Sequence, residues 1–505
     1  MPEAAPQTAF DDEDVYDIIV VGGGINGCGI ARDAAGRGAR VLLLEARDLA
    51  SGTSSASSKL IHGGLRYLEH REFGLVREAL NERERLWGIA PHIIRPMRFV
   101  LPHVKGLRPR WLLRLGLFLY DHIGGRKKLA ATETIDLRNH EAGAPLKAEF
   151  SDAFVYSDCW ADDARLVVLN ARDAADRGAD VRTRCRVTGF RREEELWRAD
   201  TEQGSFRGRI LVNAAGPGAL DLLAAGGVNE KRGMRLVRGS HIVVPSLFDH
   251  DFSYFFQLPD GRIFFAIPYE DDFTLIGTTD ADHTGKLDQV AASEEEIAYI
   301  CEGANRFFAR SIAPSDVVWS YAGVRPLLDN GADKPEAATR GYSLELSAEQ
   351  DGAPLLNVFG GKLTVYRHLA EDAVNQLAER LSLPNPKPWT GTKLLPGGEF
   401  GAGEIDRIIG ELGARYPFLD PFTCRRMARA YGTDAFTILG EAARLQDCGI
   451  YFGHGLTQRE VDYLVSREWA RTVEDIIWRR TKLGLRLTDN GREKLQNYLE
   501  ERRAA

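Results

Sequence analysis

DIIVVGGGINGCGIARDAAGRGARVLLLE, residues Asp17 to Glu45, is the stretch whose reading decides the fold. An apolar run, Ile18 to Val21, ends on Gly22, Gly24 and Gly27, and a small-residue segment of helical character leads to a second apolar run. That order of strand, tight turn, helix and strand is a βαβ dinucleotide site. The first glycine permits the turn, the second lets backbone approach a pyrophosphate, and the third lets helix pack on strand. Ile25 and Asn26 open the helix, where unpaired N–H groups and the helix dipole favour phosphate. Glu45 follows about 20 residues beyond the turn, where a carboxylate accepts hydrogen bonds from an adenosine ribose and repels a 2′-phosphate.

With 505 residues the chain exceeds what one core holds, so roughly two or three domains are expected. A formal net charge of -8 argues against a nucleic-acid partner. Six cysteines lie far apart without a C-x-x-C pair, a pattern of reduced cytosolic thiols rather than of a metal or disulfide framework; no metal site is expected. The first residues, MPEAAPQTAFDDEDV, read as a loose acidic tail and not as a signal peptide. No apolar run reaches the length of about 18 residues that a membrane-spanning helix needs.

Directly after Glu45, Ser51 to His70 reads SGTSSASSKLIHGGLRYLEH, small hydroxyl residues without apolar period running into His62, two glycines, Arg66 and Tyr67. This is a loop that hugs a ligand, and not a serine-rich linker. With the TSSASSKLIHGGLRYLE string the chain resembles the FAD-dependent, respiratory, membrane-associated glycerol-3-phosphate dehydrogenase family, a likeness that extends from Asp17 to about Arg480. The fold so implied is α/β plus α: a Rossmann-like FAD-binding domain of the D-amino-acid-oxidase type, an antiparallel-sheet substrate domain and a C-terminal helical domain. Placed on this chain, the FAD-binding domain is discontinuous, comprising 15–90, 151–235 and 315–395; the substrate domain comprises 91–150 and 236–314; the helical domain is 396–505.

Carried over residue by residue, the resemblance implies cofactor contacts from Thr53, Ser54, Ser57, Ser58, Leu60, His62 and Gly63 in the loop. Further contacts come from Val187, from Ala215 and Gly216 in LVNAAGPGA, and from Gly361, Lys362, Leu363 and Thr364 in NVFGGKLTVYR. That last motif reads as strand, glycine turn and a helix starting at Gly361. The resemblance puts Arg66, Tyr67, Arg325, Arg340, Lys362 and Thr364 at the substrate. Guanidinium forks suit a substrate phosphate, and Lys362 beside the flavin suits the charge of its reduced form. Oxidising a secondary alcohol also needs a group to take the hydroxyl proton, and neutral imidazole suits that near pH 7. His241, on a strand of the substrate domain, is the first choice of base; His62 is the alternative, its loop better suited to flavin contact. His241, Arg325 and Lys362 thus form the expected catalytic set.

Lys105 to Lys128, KGLRPRWLLRLGLFLYDHIGGRKK, sets Trp, Leu and Phe between basic ends, as a helix lying in a membrane interface does. The activity implied is oxidation of sn-glycerol 3-phosphate to dihydroxyacetone phosphate by hydride transfer to FAD, with electrons passed to membrane quinone. The implied setting is a homodimer attached to the inner, cytoplasmic face of the cell membrane through an anionic surface. The alternatives are a glycerol-3-phosphate oxidase using oxygen, another amine or alcohol oxidase of the superfamily, or a flavin-bearing scaffold that binds partners through its helical tail.

Overall fold

The structure, a computed structural model, describes residues 15–68, 72–104, 107–228, 233–258, 262–328, 341–347 and 352–504, without the side chains of residues 66, 67 and 328. Arg340 and Lys105 lie outside the described residues, as do the side chains of Arg66 and Tyr67.

Among these residues two large sheets form the body of the molecule. The first has eight strands. Its order is Tyr342–Ser347, Leu355–Gly360, Gly204–Asn213, Val15–Val21, Val41–Leu44 and Asp180–Arg182, with Val187–Glu193 and Leu196–Thr201 added beside Gly204–Asn213. From Leu355–Gly360 to Asp180–Arg182 every pairing is parallel. Parallel strands covered on both faces need continuous apolar runs, and Ile18 to Val20 and Val41 to Leu44 are fully buried. The helix Ile25–Gly36 packs between Asp163–Asp176 and Tyr366–Ala378 over one face. Asp162 starts the helix Asp163–Asp176 by accepting from the Arg165 amide at 3.1 Å.

The second sheet has ten strands, ordered Ala281–Asp282, Met234–Pro245, Phe273–Gly277, Ile263–Tyr269, Ser253–Gln257, Ile94–Pro102, Asp152–Ala161 and Leu60–Ile61, with Trp319–Leu328 on Met234–Pro245 and Glu133–Asp136 on Asp152–Ala161. Apart from the pairing of Ser253–Gln257 with Ile94–Pro102 it is antiparallel. Three strands depart from the boundaries read in the sequence. Leu60–Ile61, Asp152–Ala161 and Trp319–Leu328, placed there with the nucleotide-binding domain, hydrogen-bond into the second sheet. Periodicity cannot say with which neighbours a strand pairs.

The glycine motif near residue 360 also differs from expectation. Gly360 and Gly361 take φ of +72° and +87°, values outside the helical region. A short turn over Leu363–Val365 therefore precedes the helix, which starts at Tyr366. Beyond residue 400 the helices Ile405–Arg415, Pro421–Tyr431, Asp434–Leu439, Gln458–Glu468 and Asp489–Ala504 enclose a separate core. Buried ion pairs tie that core to the sheets: Arg165 to Glu468, Arg480 to Asp48 at 2.9 Å, and Lys482 to Asp162 at 3.2 Å.

Candidate active site

A cavity of about 1140 Å³ is lined by residues of both sheets, by the first and last glycine turns and by the loop that follows Glu45. At its nucleotide end Gly22 takes φ +118°, and a Cβ there would stand 2.4 Å from the Ala214 carbonyl oxygen. A Cβ on Gly27 would meet the Gly22 oxygen at 1.9 Å, so both positions admit only glycine. Gly27 itself packs beneath the turn, while Gly22, Gly24, Ile25, Asn26 and Glu45 face the cavity. Glu45 takes the Gly23 amide on Oε2 at 2.6 Å and the Arg47 amide on Oε1 at 2.7 Å. Burial pushes its carboxyl above the ordinary range, against those two N–H donors and the Arg47 charge. Asn26 donates from Nδ2 to the Gly360 carbonyl at 3.1 Å, joining the first glycine turn to the last.

The hydroxyl loop forms the middle of the wall. Thr53 donates to the Val324 carbonyl at 2.5 Å, Ser54 Oγ accepts from the Ile25 amide at 3.0 Å, and Ser57 donates to Asp163 at 2.7 Å. Ser58 Oγ stands 2.9 Å from His241 Nε2. These four residues, with Leu60 and His62, line the cavity. Gly63 does not; its amide donates to the Tyr120 hydroxyl at 2.7 Å, which fastens the loop to the helix Arg110–Ile123. Arg66 and Tyr67 belong to the short turn Leu65–Leu68 that follows. Val187, Ala215 and Gly216 line the cavity, as do Gly361, Lys362, Leu363 and Thr364 of the last glycine turn, which lies against Asn26.

His241 is not part of the lining. It is 1 % exposed and lies behind Ser58. Burial, then the Arg325 and Lys59 charges, push its imidazole well below the ordinary value, so the ring is neutral. Arg325 faces the cavity and is already paired: Nη1 binds Asp280, and Nη2 donates to Thr278 Oγ1 at 3.2 Å. Its guanidinium crosses Gly239, where a Cβ would come within 2.5 Å of Nη2.

Sequence reading missed Asp280, and also the pair Lys59 and Asp163 behind the hydroxyl loop. Lys59 is fully buried, at φ +59°, with Nζ donating to Asp163 at 2.8 Å and to the Ser55 carbonyl at 3.1 Å. A lysine within a serine-rich loop carries no periodic signal, and its partner is 104 residues away. Arg47 and Arg186 at the nucleotide end, and Phe255 and Phe265 on the apolar wall, were missed as well.

The residues present fit FAD. A glycine turn that no side chain could occupy, a carboxylate at the end of the second strand and a large cavity lined also by the hydroxyl loop and Lys362 match a dinucleotide that carries a ring system beyond its pyrophosphate.

Comparison with known proteins agrees. The family model described as FAD dependent oxidoreductase matches residues 17–367, and that described as C-terminal domain of alpha-glycerophosphate oxidase matches 389–501. The chain is 51% identical over 494 residues to the glycerol-3-phosphate dehydrogenase of Pseudomonas aeruginosa, covering 96% of this chain and 95% of that one. It is 48% identical over 485 residues to the D-erythritol 1-phosphate dehydrogenase of Brucella abortus, covering 95% and 96%. Among solved structures, the glycerol-3-phosphate dehydrogenase of Bacillus halodurans complexed with FAD superposes with a TM-score of 0.75 at 27% identity, over 97% of this chain and 94% of that chain. Matched by both family models and by relatives over nearly its whole length, the chain belongs to the FAD-dependent glycerol-3-phosphate dehydrogenase family, a flavoprotein oxidoreductase fold of the D-amino-acid-oxidase type with FAD as its cofactor.

Proposed function

We propose that the protein oxidises sn-glycerol 3-phosphate to dihydroxyacetone phosphate and delivers the electrons to a membrane quinone. The observation that supports this reading is the cavity wall, which Arg325, Lys362 and Thr364 share with the hydroxyl loop. When bound, FAD accepts the hydride from the substrate carbon. The chain's own residues bind the phosphate, orient the alcohol and take its proton. Arg325, Arg66, Arg340 and Lys362 supply cationic donors for phosphate, and Tyr67 and Thr364 supply hydroxyls that orient the substrate. His241 takes the hydroxyl proton, with Ser58 between its Nε2 and the cavity.

Anaerobic titration with glycerol 3-phosphate, followed in the flavin absorbance bands, tests the reading. Full bleaching at low substrate supports it; bleaching by D-erythritol 1-phosphate and not by glycerol 3-phosphate moves the substrate to the longer polyol phosphate. The flavin itself is expected to be non-covalent, since the glycine turn and Glu45 suit a bound ADP moiety and no covalent-attachment motif is evident in the sequence. Acid precipitation should leave the pellet colourless and the supernatant yellow; flavin retained in the pellet reveals a covalent link.

The helix Arg110–Ile123 favours quinone over oxygen as acceptor. Trp111, Leu115 and Phe118 stand on one face at 67%, 47% and 56% exposure, while Leu113, Leu117 and Tyr120 turn into the core. A face of this kind with arginines at its edge lies among acyl chains and anionic headgroups. No helix among the described residues is long and apolar enough to cross a membrane. In this reading the protein acts as a homodimer attached to the cytoplasmic face of the cell membrane. It should co-sediment with anionic vesicles at low salt, and charge reversal at Arg110 and Arg114 should release it. Failure of the unmodified protein to bind such vesicles overturns the attachment.

A further inference from the structure

Tyr321 is the register partner of His241 on the neighbouring antiparallel strand. Their rings stack, with centroids 4.9 Å apart and planes 14° from parallel. On its other side His241 pairs with Gly277, where a Cβ would stand 2.3 Å from the imidazole Cδ2. The ring therefore occupies room that glycine leaves on one strand and leans on an aromatic face from the other. Among the described residues its polar contacts reduce to Ser58 at Nε2, since Nδ1 is buried without a hydrogen-bond partner. One contact cannot fix a ring's orientation, so packing has to.

Tyr321 is itself held. Its hydroxyl donates to the Ser57 carbonyl at 2.8 Å, and the buried Lys59 ammonium sits 5.1 Å from its ring centroid. Trp319, two residues earlier on the strand, packs against it at 4.9 Å, and Trp478 of the C-terminal domain stacks on Trp319 at 4.3 Å. The proposed reaction uses none of these groups.

We propose that Tyr321 is a positioning residue, whose clamped ring aims His241 Nε2 at Ser58 and so at the cavity, and that Trp319 and Trp478 make the C-terminal domain part of that support. The proposal rests on His241 being the base.

The test uses FAD-loaded Tyr321→Phe, Tyr321→Leu and Tyr321→Met enzymes, with His241→Asn and the Tyr321→Leu/His241→Asn double variant, in stopped-flow reduction by glycerol 3-phosphate. Tyr321→Phe keeps the stack and should stay within about threefold of the unmodified rate, whereas Tyr321→Leu and Tyr321→Met should lower the limiting rate about tenfold or more, with half-saturation within about twofold, as misplacement of a reacting group does. In the His241→Asn background Tyr321→Leu should cost less than about twofold further, because two residues acting through one function are not additive. A readout apart from turnover is the ¹⁵N resonance of the His241 imidazole in histidine-labelled protein near neutral pH, assigned by its loss in His241→Asn. One tautomer should persist in Tyr321→Phe and give way to a mixture in Tyr321→Leu. Normal rates for both aliphatic variants beside a slow His241→Asn overturn the positioning role and leave the base in place. A full additive loss in the double variant assigns Tyr321 to the fold instead. Normal rates in His241→Asn remove the base and this inference with it.

Discussion

Replacing His241 by asparagine is expected to leave FAD bound and to slow flavin reduction by substrate roughly 10²- to 10⁴-fold, the range for loss of a general base. Cofactor binding survives because His241 lies outside the cavity lining, behind Ser58. The loss is large because the imidazole is neutral before substrate arrives. Burial, the Arg325 guanidinium and the Lys59 ammonium all disfavour its charged form. The sign of the pH dependence follows. A folded value below the ordinary one, about 6.5, keeps the proton-accepting form populated through neutral pH. The acid limb of kcat/KM that belongs to His241 therefore falls below about pH 6.5 and disappears in the variant. Stopped-flow reduction across pH measures both effects. Unchanged reduction rates in His241→Asn would transfer the role to His62, which lines the cavity 6.2 Å from the ring of Phe265.

Arg325→Ala is expected to lower kcat/KM for glycerol 3-phosphate at least about tenfold, since a charge-assisted contact to phosphate contributes on the order of 1.5 to 3 kcal/mol. Pro326 follows Arg325 on its strand and fixes its own φ. Asp280 and Thr278 hold the guanidinium in place, so little ordering remains for binding to supply. The Asp280 pairing deepens the expected loss, because without the arginine an unmatched carboxylate faces the incoming phosphate. Arg325→Lys keeps the charge without the planar fork and should fall between. Glycerol lacks the phosphate, and its slow oxidation should be nearly insensitive to either change. Equal losses with both substrates would place Arg325 at the flavin or in the fold and leave Arg66, Lys362 and Arg340 as the phosphate ligands.

Much of the nucleotide end was legible in the chain itself. A strand, a turn that must be glycine and a carboxylate at fixed spacing are local demands, and the approach of the Gly27 Cβ position to the Gly22 oxygen shows how little freedom they leave. The antiparallel substrate wall and the helical C-terminal domain were equally readable, because alternation and helical periodicity are properties of short windows. The amphipathic helix Arg110–Ile123 was legible in its composition, though its exposed row at Trp111, Leu115 and Phe118 appears only once Leu113 and Leu117 have found the core.

What the sequence by itself determined was therefore the cofactor, the glycine turn with its carboxylate, the layer types and the helical C-terminal domain. Tertiary structure alone decided that Asp152–Ala161 and Trp319–Leu328 join the second sheet, that Arg325 is paired with Asp280, that Lys59 is buried on Asp163, and that His241 sits behind Ser58 against Tyr321. The physical reason is range. Glycine turns and periodicities are fixed by neighbours along the chain, whereas an ion pair or a ring stack joins residues 45, 104 or 432 positions apart, as in Arg325 with Asp280, Lys59 with Asp163 and Arg480 with Asp48, and exists only after the sheets have closed around it.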